Sequence, residues 1–223
     1  MAVVGAGACV LPSWLASLSP CCRVTAVEQL AEVVVAARRC FGVDDVRPLE
    51  QLEVLVEEGT SFITRCAEHS YDAVLVTAGG DGGGEQLAPP ASMTAPGFCA
   101  AVHQALKPGG VYAANILCQT EAGERKAVRD LAHQLTEAGF DGIHVATTGA
   151  PPHSNRLLFA CALGTDGSAA DEVDAGGLVS RLVELGFENR MGLLQRQDQL
   201  MTLPVNVAWQ TWDQWDATNT SPN

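Results

Sequence analysis

The chain has 223 residues, 47% apolar and only 17% charged, enough for one buried core and too apolar for wholesale disorder. Its 13 basic residues stand against 26 acidic ones, a net charge of −13 that argues against a nucleic-acid or membrane partner and suits a basic protein segment or a small amine. Eight cysteines form no CxxC pair and no histidine lies at metal-ligand spacing from two of them, so no metal centre is expected and a reducing, cytoplasmic setting fits.

The first 22 residues carry no charge, yet Gly5, Gly7, Pro12 and Pro20 break the stretch too often for a signal peptide or a spanning helix. Ala2 to Val4 reads as a short buried strand running into the turn Gly5-Ala6-Gly7, with a short helix around residues 12 to 18. Arg23 to Val27 is a second strand ending at Glu28, and Leu30, Val33, Val34, Ala37 and Phe41 form a helical stripe stopped by Gly42. Leu52 to Val56 is a third strand, followed by a short helix marked by Phe62, Ile63 and Cys66. Ala73 to Val76 is a fourth strand, nearly without polar residues, as a strand covered on both faces should be.

Residues 78 to 96 form a loop with five glycines and three prolines, and such a length inside a compact domain points to function. A helix over 97 to 106 leads into the turn Lys107-Pro108-Gly109-Gly110 and a strand over 111 to 117. An amphipathic helix follows over 121 to 138, and then two strands, 142 to 147 and 157 to 163, spaced to pair antiparallel. Strands alternating with helices imply an α/β, doubly wound, Rossmann-like sheet of seven strands, mostly parallel with an antiparallel last strand. Four segments are expected: a Rossmann-like domain over 1–163, an acidic Gly-rich linker over 164–177, a helical extension over 178–205, and a tail over 206–223. In the tail Trp209, Trp212 and Trp215 recur every three residues, so a helical turn would align them on one face and let them dock on the domain.

The chemistry gathers at the carboxyl ends of the strands. Glycines in the turn after the first strand let a ligand approach the backbone, and the helix that follows offers unpaired amides. Glu28 stands 21 residues after Gly7, where a carboxylate can accept both ribose hydroxyls of a nucleoside. Glu58-Gly59 occupies the corresponding end of the third strand, where a carboxylate can accept from an adenine amino group or simply serve a turn. Thr77 and Asp81 are the candidates for a catalytic role after the fourth strand.

The runs VVGAGAC (3–9), TAVE (25–28), EEGTSFI (57–63), YDAVLV (71–76) and ALKPGG (105–110), in that order, resemble the class I S-adenosylmethionine-dependent methyltransferases. Within them the resemblance is to the spermidine-synthase-like branch, which includes methyltransferase-like proteins that modify translation elongation factors. It implies S-adenosylmethionine as cofactor, with Gly5, Ala6 and Gly7 at its methionine part, Glu28 on the ribose, and Glu58 and Gly59 near the adenine. It implies methyl transfer to a protein or small amine, and homodimers occur among relatives of this kind. Spermidine synthases end the fourth strand in an aspartate that deprotonates the attacking amine. Here that strand ends Val76-Thr77, and a threonine hydroxyl is no base for an amine near neutral pH. Aminopropyl transfer is therefore the second reading. The family also carries segments ahead of its first strand, whereas Met1 immediately precedes it here, which suggests a shortened chain and a third reading, a non-catalytic interaction module.

Overall fold

The computed structural model describes residues 1–18, 21–45, 49–80, 84–148, 155–162 and 207–219. The strands are β1 (Ala2–Val4), β2 (Val24–Glu28), β3 (Leu52–Val56), β4 (Tyr71–Val76), β5 (Gln86–Ala88), β6 (Leu106–Cys118), β7 (Phe140–Thr148), β8 (Asn155–Ala162) and β9 (Val207–Thr211). The helices are α1 (Val10–Leu18), α2 (Ala31–Cys40), α3 (Gly59–Arg65), α4 (Pro96–Ala105), α5 (Glu121–Glu137) and α6 (Trp212–Asn219).

The sheet runs β3-β2-β1-β4-β6-β8-β7-β9, with β5 added beside the end of β6. Strands β3, β2, β1, β4 and β6 are parallel, and β8 is antiparallel to both of its neighbours. This is the doubly wound, Rossmann-like architecture. Alternation along each strand sends residues to both faces: Ala2 and Val4 pack in the core with α3, α4 and α5, while Val3 packs with Leu15 and Ala16 of α1. Helix α5 shows the same logic at helical spacing. Thr120 caps it by accepting from the Gly123 amide at 3.0 Å, and Val128, Leu131, Ala132 and Leu135 are fully buried on one side. Each leucine so buried contributes about 2 kcal/mol.

Three features depart from expectation. The described residues hold nine strands rather than seven. Strand β5 forms inside the glycine- and proline-rich loop because Gln86 and Ala88 find partners in Cys118 and Leu117. The Lys107–Gly110 turn is an irregularity within β6: Tyr71 pairs with Leu106, Ala73 with Val111, and the intervening residues are absorbed where Pro108 has no amide to give. The tryptophan triplet is divided between β9, which holds Trp209, and α6, which holds the other two. Trp215 is 2% exposed and packs in the main core, so the tail does dock on the domain. The 164–177 linker and the 178–205 extension lie outside the described residues. No described helix is long and apolar enough to cross a membrane.

Candidate active site

Strands β1 to β4 end on a cleft of about 560 Å³. The turn after β1 forms its floor. The amides of Gly5 and Ala6 both donate to the Val27 carbonyl at 2.9 Å, which curls the chain toward β2. From the other side, the Thr77 amide donates to the Val4 carbonyl at 2.8 Å and its hydroxyl to the Gly5 carbonyl at 2.9 Å. The approach is close: a β-carbon on Gly5, whose φ is +83°, would stand 2.2 Å from the Ala78 Cα. Gly5 and Gly7 both line the cleft. Ala6 does not; it is 8% exposed and packs beneath the turn with Cys9, Ala26, Ala37 and Val43.

Glu28 closes β2 and is 8% exposed. One carboxylate oxygen accepts from the Gly7 amide at 2.9 Å and the other from the Leu30 amide at 3.1 Å. A single side chain thus ties the β1 turn to the start of α2, and each oxygen keeps a lone pair. Such a buried carboxylate beside a glycine turn suits a vicinal diol.

Glu57, Glu58 and Gly59 form the wall after β3. The Arg65 guanidinium hydrogen-bonds Glu57 in bidentate fashion and holds its carboxyl below the usual range. Glu58 caps α3, accepting from the Thr60 amide at 2.9 Å and the Ser61 amide at 2.8 Å. Burial pushes the Glu58 carboxyl up, but these amides outweigh it and leave it below the usual range. Gly59 is sterically required, since a β-carbon there would stand 2.3 Å from Val4 Cγ1 and 2.6 Å from Met93 Cε.

The depressed Glu58 carboxyl carries a signed expectation. A group whose folded pKa lies below its unfolded one stabilises above the unfolded pKa and ceases to do so as pH falls through the folded one. The acid limb of stability should therefore soften in Glu58→Gln between about pH 5 and pH 3, by no more than about 1 kcal/mol for so exposed a cap. Denaturant unfolding of both chains across that range is the measurement. Identical limbs would remove the cap from the account.

The fourth wall is Thr77 to Gly80 together with Pro90 to Met93. The Gly80 amide donates to the Leu87 carbonyl at 2.6 Å, which folds the loop back over the site. Of the expected site residues, Gly5, Gly7, Glu28, Glu58, Gly59 and Thr77 meet in this one cleft. Asp81 lies outside the described residues. Gln29, Glu57 and the Pro90–Met93 segment line the cleft without having been expected there. The length of the loop marked that last segment as functional, but nothing local marked which of its residues would turn inward. Every charged residue among the described lining is a carboxylate.

No family model matches the sequence. A Drosophila melanogaster protein described as an eEF1A lysine and N-terminal methyltransferase homolog is 27% identical over 132 residues, 58% of this chain and 19% of that protein. The chain thus spans about a fifth of the length of that curated relative. Among solved structures, a probable spermidine synthase from Corynebacterium glutamicum matches with a TM-score of 0.66 and 21% identity, covering 99% of this chain and 69% of the other. Human methyltransferase-like protein 13 in complex with SAH matches with a TM-score of 0.61 and 21% identity, covering 80% and 76%. At these identities the two structures establish a shared fold, the Rossmann-like sheet of methyltransferases and spermidine synthases.

Proposed function

We propose that the chain is an S-adenosylmethionine-dependent methyltransferase acting on an amine of a basic protein segment or a small molecule. The observation that carries this reading is Glu28, a buried carboxylate whose two oxygens hold the Gly7 and Leu30 amides at the floor of the cleft. Its remaining lone pairs would receive the ribose hydroxyls, Gly5 and Gly7 would line the methionine part, and Glu58 and Gly59 would border the adenine. The residues present fit such a ligand: beyond its own chain neighbours, no described residue comes within 4 Å of a β-carbon placed on Gly7, so the floor is open there. Bound S-adenosylmethionine supplies a methyl group already activated on a sulfonium.

The chain's own work is then alignment of the acceptor with that methyl and exclusion of water. Either transfer needs the acceptor ammonium to lose a proton before its nitrogen attacks; methyl transfer is favoured because β4 ends in Thr77, whose hydroxyl is donated to the Gly5 carbonyl, and not in the aspartate that spermidine synthases use for aminopropyl transfer. Among the described residues no carboxylate follows β4 into the cleft. Asp81 remains the candidate base from the loop, and Thr77 is better suited to bracing the turn. The acidic cleft, the net charge of −13 and the name of the Drosophila relative all support a cationic amine acceptor, and a cytoplasmic setting agrees with them.

Calorimetric titration of the chain with S-adenosylmethionine and with its decarboxylated form tests this. Tighter binding of the first is expected. Preference for the decarboxylated form would move the assignment to aminopropyl transfer, and binding of neither would leave an interaction module.

A further inference from the structure

A second groove, of about 390 Å³, lies between β7 and the β9–α6 junction. The sheet order puts it at the edge farthest from β2 and β3. It also lies at the amino end of β7 and the carboxyl end of β9, away from the strand ends that form the cleft. Its base is Phe140 and Ile143, 1% and 8% exposed, and its rim carries the exposed carboxylates of Asp141 and Asp213. Among the described residues neither aspartate forms an ion pair, whereas Asp216 on the same helix meets Arg129 at 3.1 Å.

The remaining wall is Trp212, and its position is built rather than incidental. The Thr211 amide donates to Gln214 Oε1 at 3.1 Å, and the Gln214 amide donates to Thr211 Oγ1 at 3.4 Å, a reciprocal cap that starts α6. Trp212, half-buried, stacks on the buried Trp215 with centroids 5.6 Å apart and planes 20° apart. His133 meets it edge-on at 6.0 Å. Trp215 stacks over one face of the indole, and Trp212 lines the groove.

We propose that this groove binds a cationic side chain, a lysine ammonium or an arginine guanidinium, of a basic protein segment. A cation there meets two carboxylates beside a half-buried indole, over an apolar base that suits the aliphatic stem as well as the charge. Two rim carboxylates repel an anion, even though the first turn of α6 offers partial positive charge that Asp213 itself offsets. The chain's net charge of −13 draws a basic segment toward it. Standing at the far corner from the cleft, the groove docks a partner without competing with a nucleoside, so it is independent of the activity proposed above.

The test is NMR titration of the intact chain with N-acetyl-lysine methylamide and N-acetyl-arginine methylamide, following the Trp212 indole N–H. A saturable shift is expected, weakened about fivefold or more in the Asp141→Asn/Asp213→Asn chain. A charge-matched control, Glu32→Gln/Glu68→Gln, removes two exposed carboxylates elsewhere and should change affinity less than about twofold. Nucleoside binding should be unchanged in both. Equal weakening by the control pair, an unmoved Trp212 signal, or an equal response to neutral N-acetyl-glutamine methylamide would each overturn the proposal.

Discussion

Gly5→Ala is expected to destabilise the chain by about 3 kcal/mol or more, a large part of the 5–15 kcal/mol that holds a typical domain together. Two costs add. The residue adopts φ +83°, where a β-carbon is strained by about 1–2 kcal/mol. The new methyl would also stand 2.2 Å from Ala78 Cα and 2.3 Å from its nitrogen. Those are backbone atoms, held by the hydrogen bonds from Thr77 to Val4 and Gly5, so they cannot yield as the end of a flexible side chain would. Gly7→Ala isolates the first cost, because φ is +53° there and, beyond the chain neighbours, no described residue comes within 4 Å of the new methyl. It should lose about 1–2 kcal/mol. Urea unfolding of both variants measures the difference, and thermal melting should follow it, with about 2–4 °C lost per kcal/mol. If Gly5→Ala unfolded within about 0.5 kcal/mol of the parent, the close approach of the β1 and β4 turns would have to be abandoned.

Removing the Glu28 carboxylate should have the second-largest effect, and it should appear in two measurements at once. Glu28→Ala leaves the Gly7 and Leu30 amides without their acceptors near the cleft floor, at a cost of about 1–3 kcal/mol in stability. The same substitution should weaken S-adenosylmethionine by about 1–3 kcal/mol, the scale of a hydrogen bond to a charged group. Glu28→Gln is the more telling variant. Both oxygens of the native side chain accept from backbone N–H groups, so a glutamine must turn its own NH₂ toward one of them. It should therefore behave nearly as badly as alanine, although its shape is conserved. Calorimetry together with denaturant unfolding separates the two losses. Full nucleoside affinity in either variant would sink the ribose assignment, and an unaltered unfolding free energy in Glu28→Ala would deny that side chain its bracing role.

Gly5 and Glu28 belong to one piece of the fold. The turn after β1 is held from β2 through Val27 and Glu28, and from β4 through Thr77. Each contact is a hydrogen bond to backbone, so the floor of the cleft is set by main-chain geometry more than by side-chain packing. That accounts for the economy of the motif: two glycines, one glutamate and one threonine suffice.

Local sequence determined the alternation of strands and helices, the two-faced burial of the central strands, and the approximate bounds of α2, α4 and α5. Those properties follow from side-chain periodicity and from punctuation by glycine and proline, which act within a few residues. The same local signal marked Gly5, Gly7, Glu28, Glu58 and Thr77, because parallel strands necessarily end together at one edge of the sheet. Pairing partners distant in the chain decided the rest. Gln86 to Ala88 is a strand only because the end of β6 lies beside it, and Val207 to Thr211 only because β7 offers an edge. Ala6 could not be told from its glycine neighbours as a lining residue until the turn was seen to direct its methyl downward among Ala26 and Ala37. Likewise Met93 reaches the cleft because the loop folds back through the Gly80–Leu87 hydrogen bond. No spacing of residues encodes such a contact, since its energy arises only once the two segments have been brought together by the sheet.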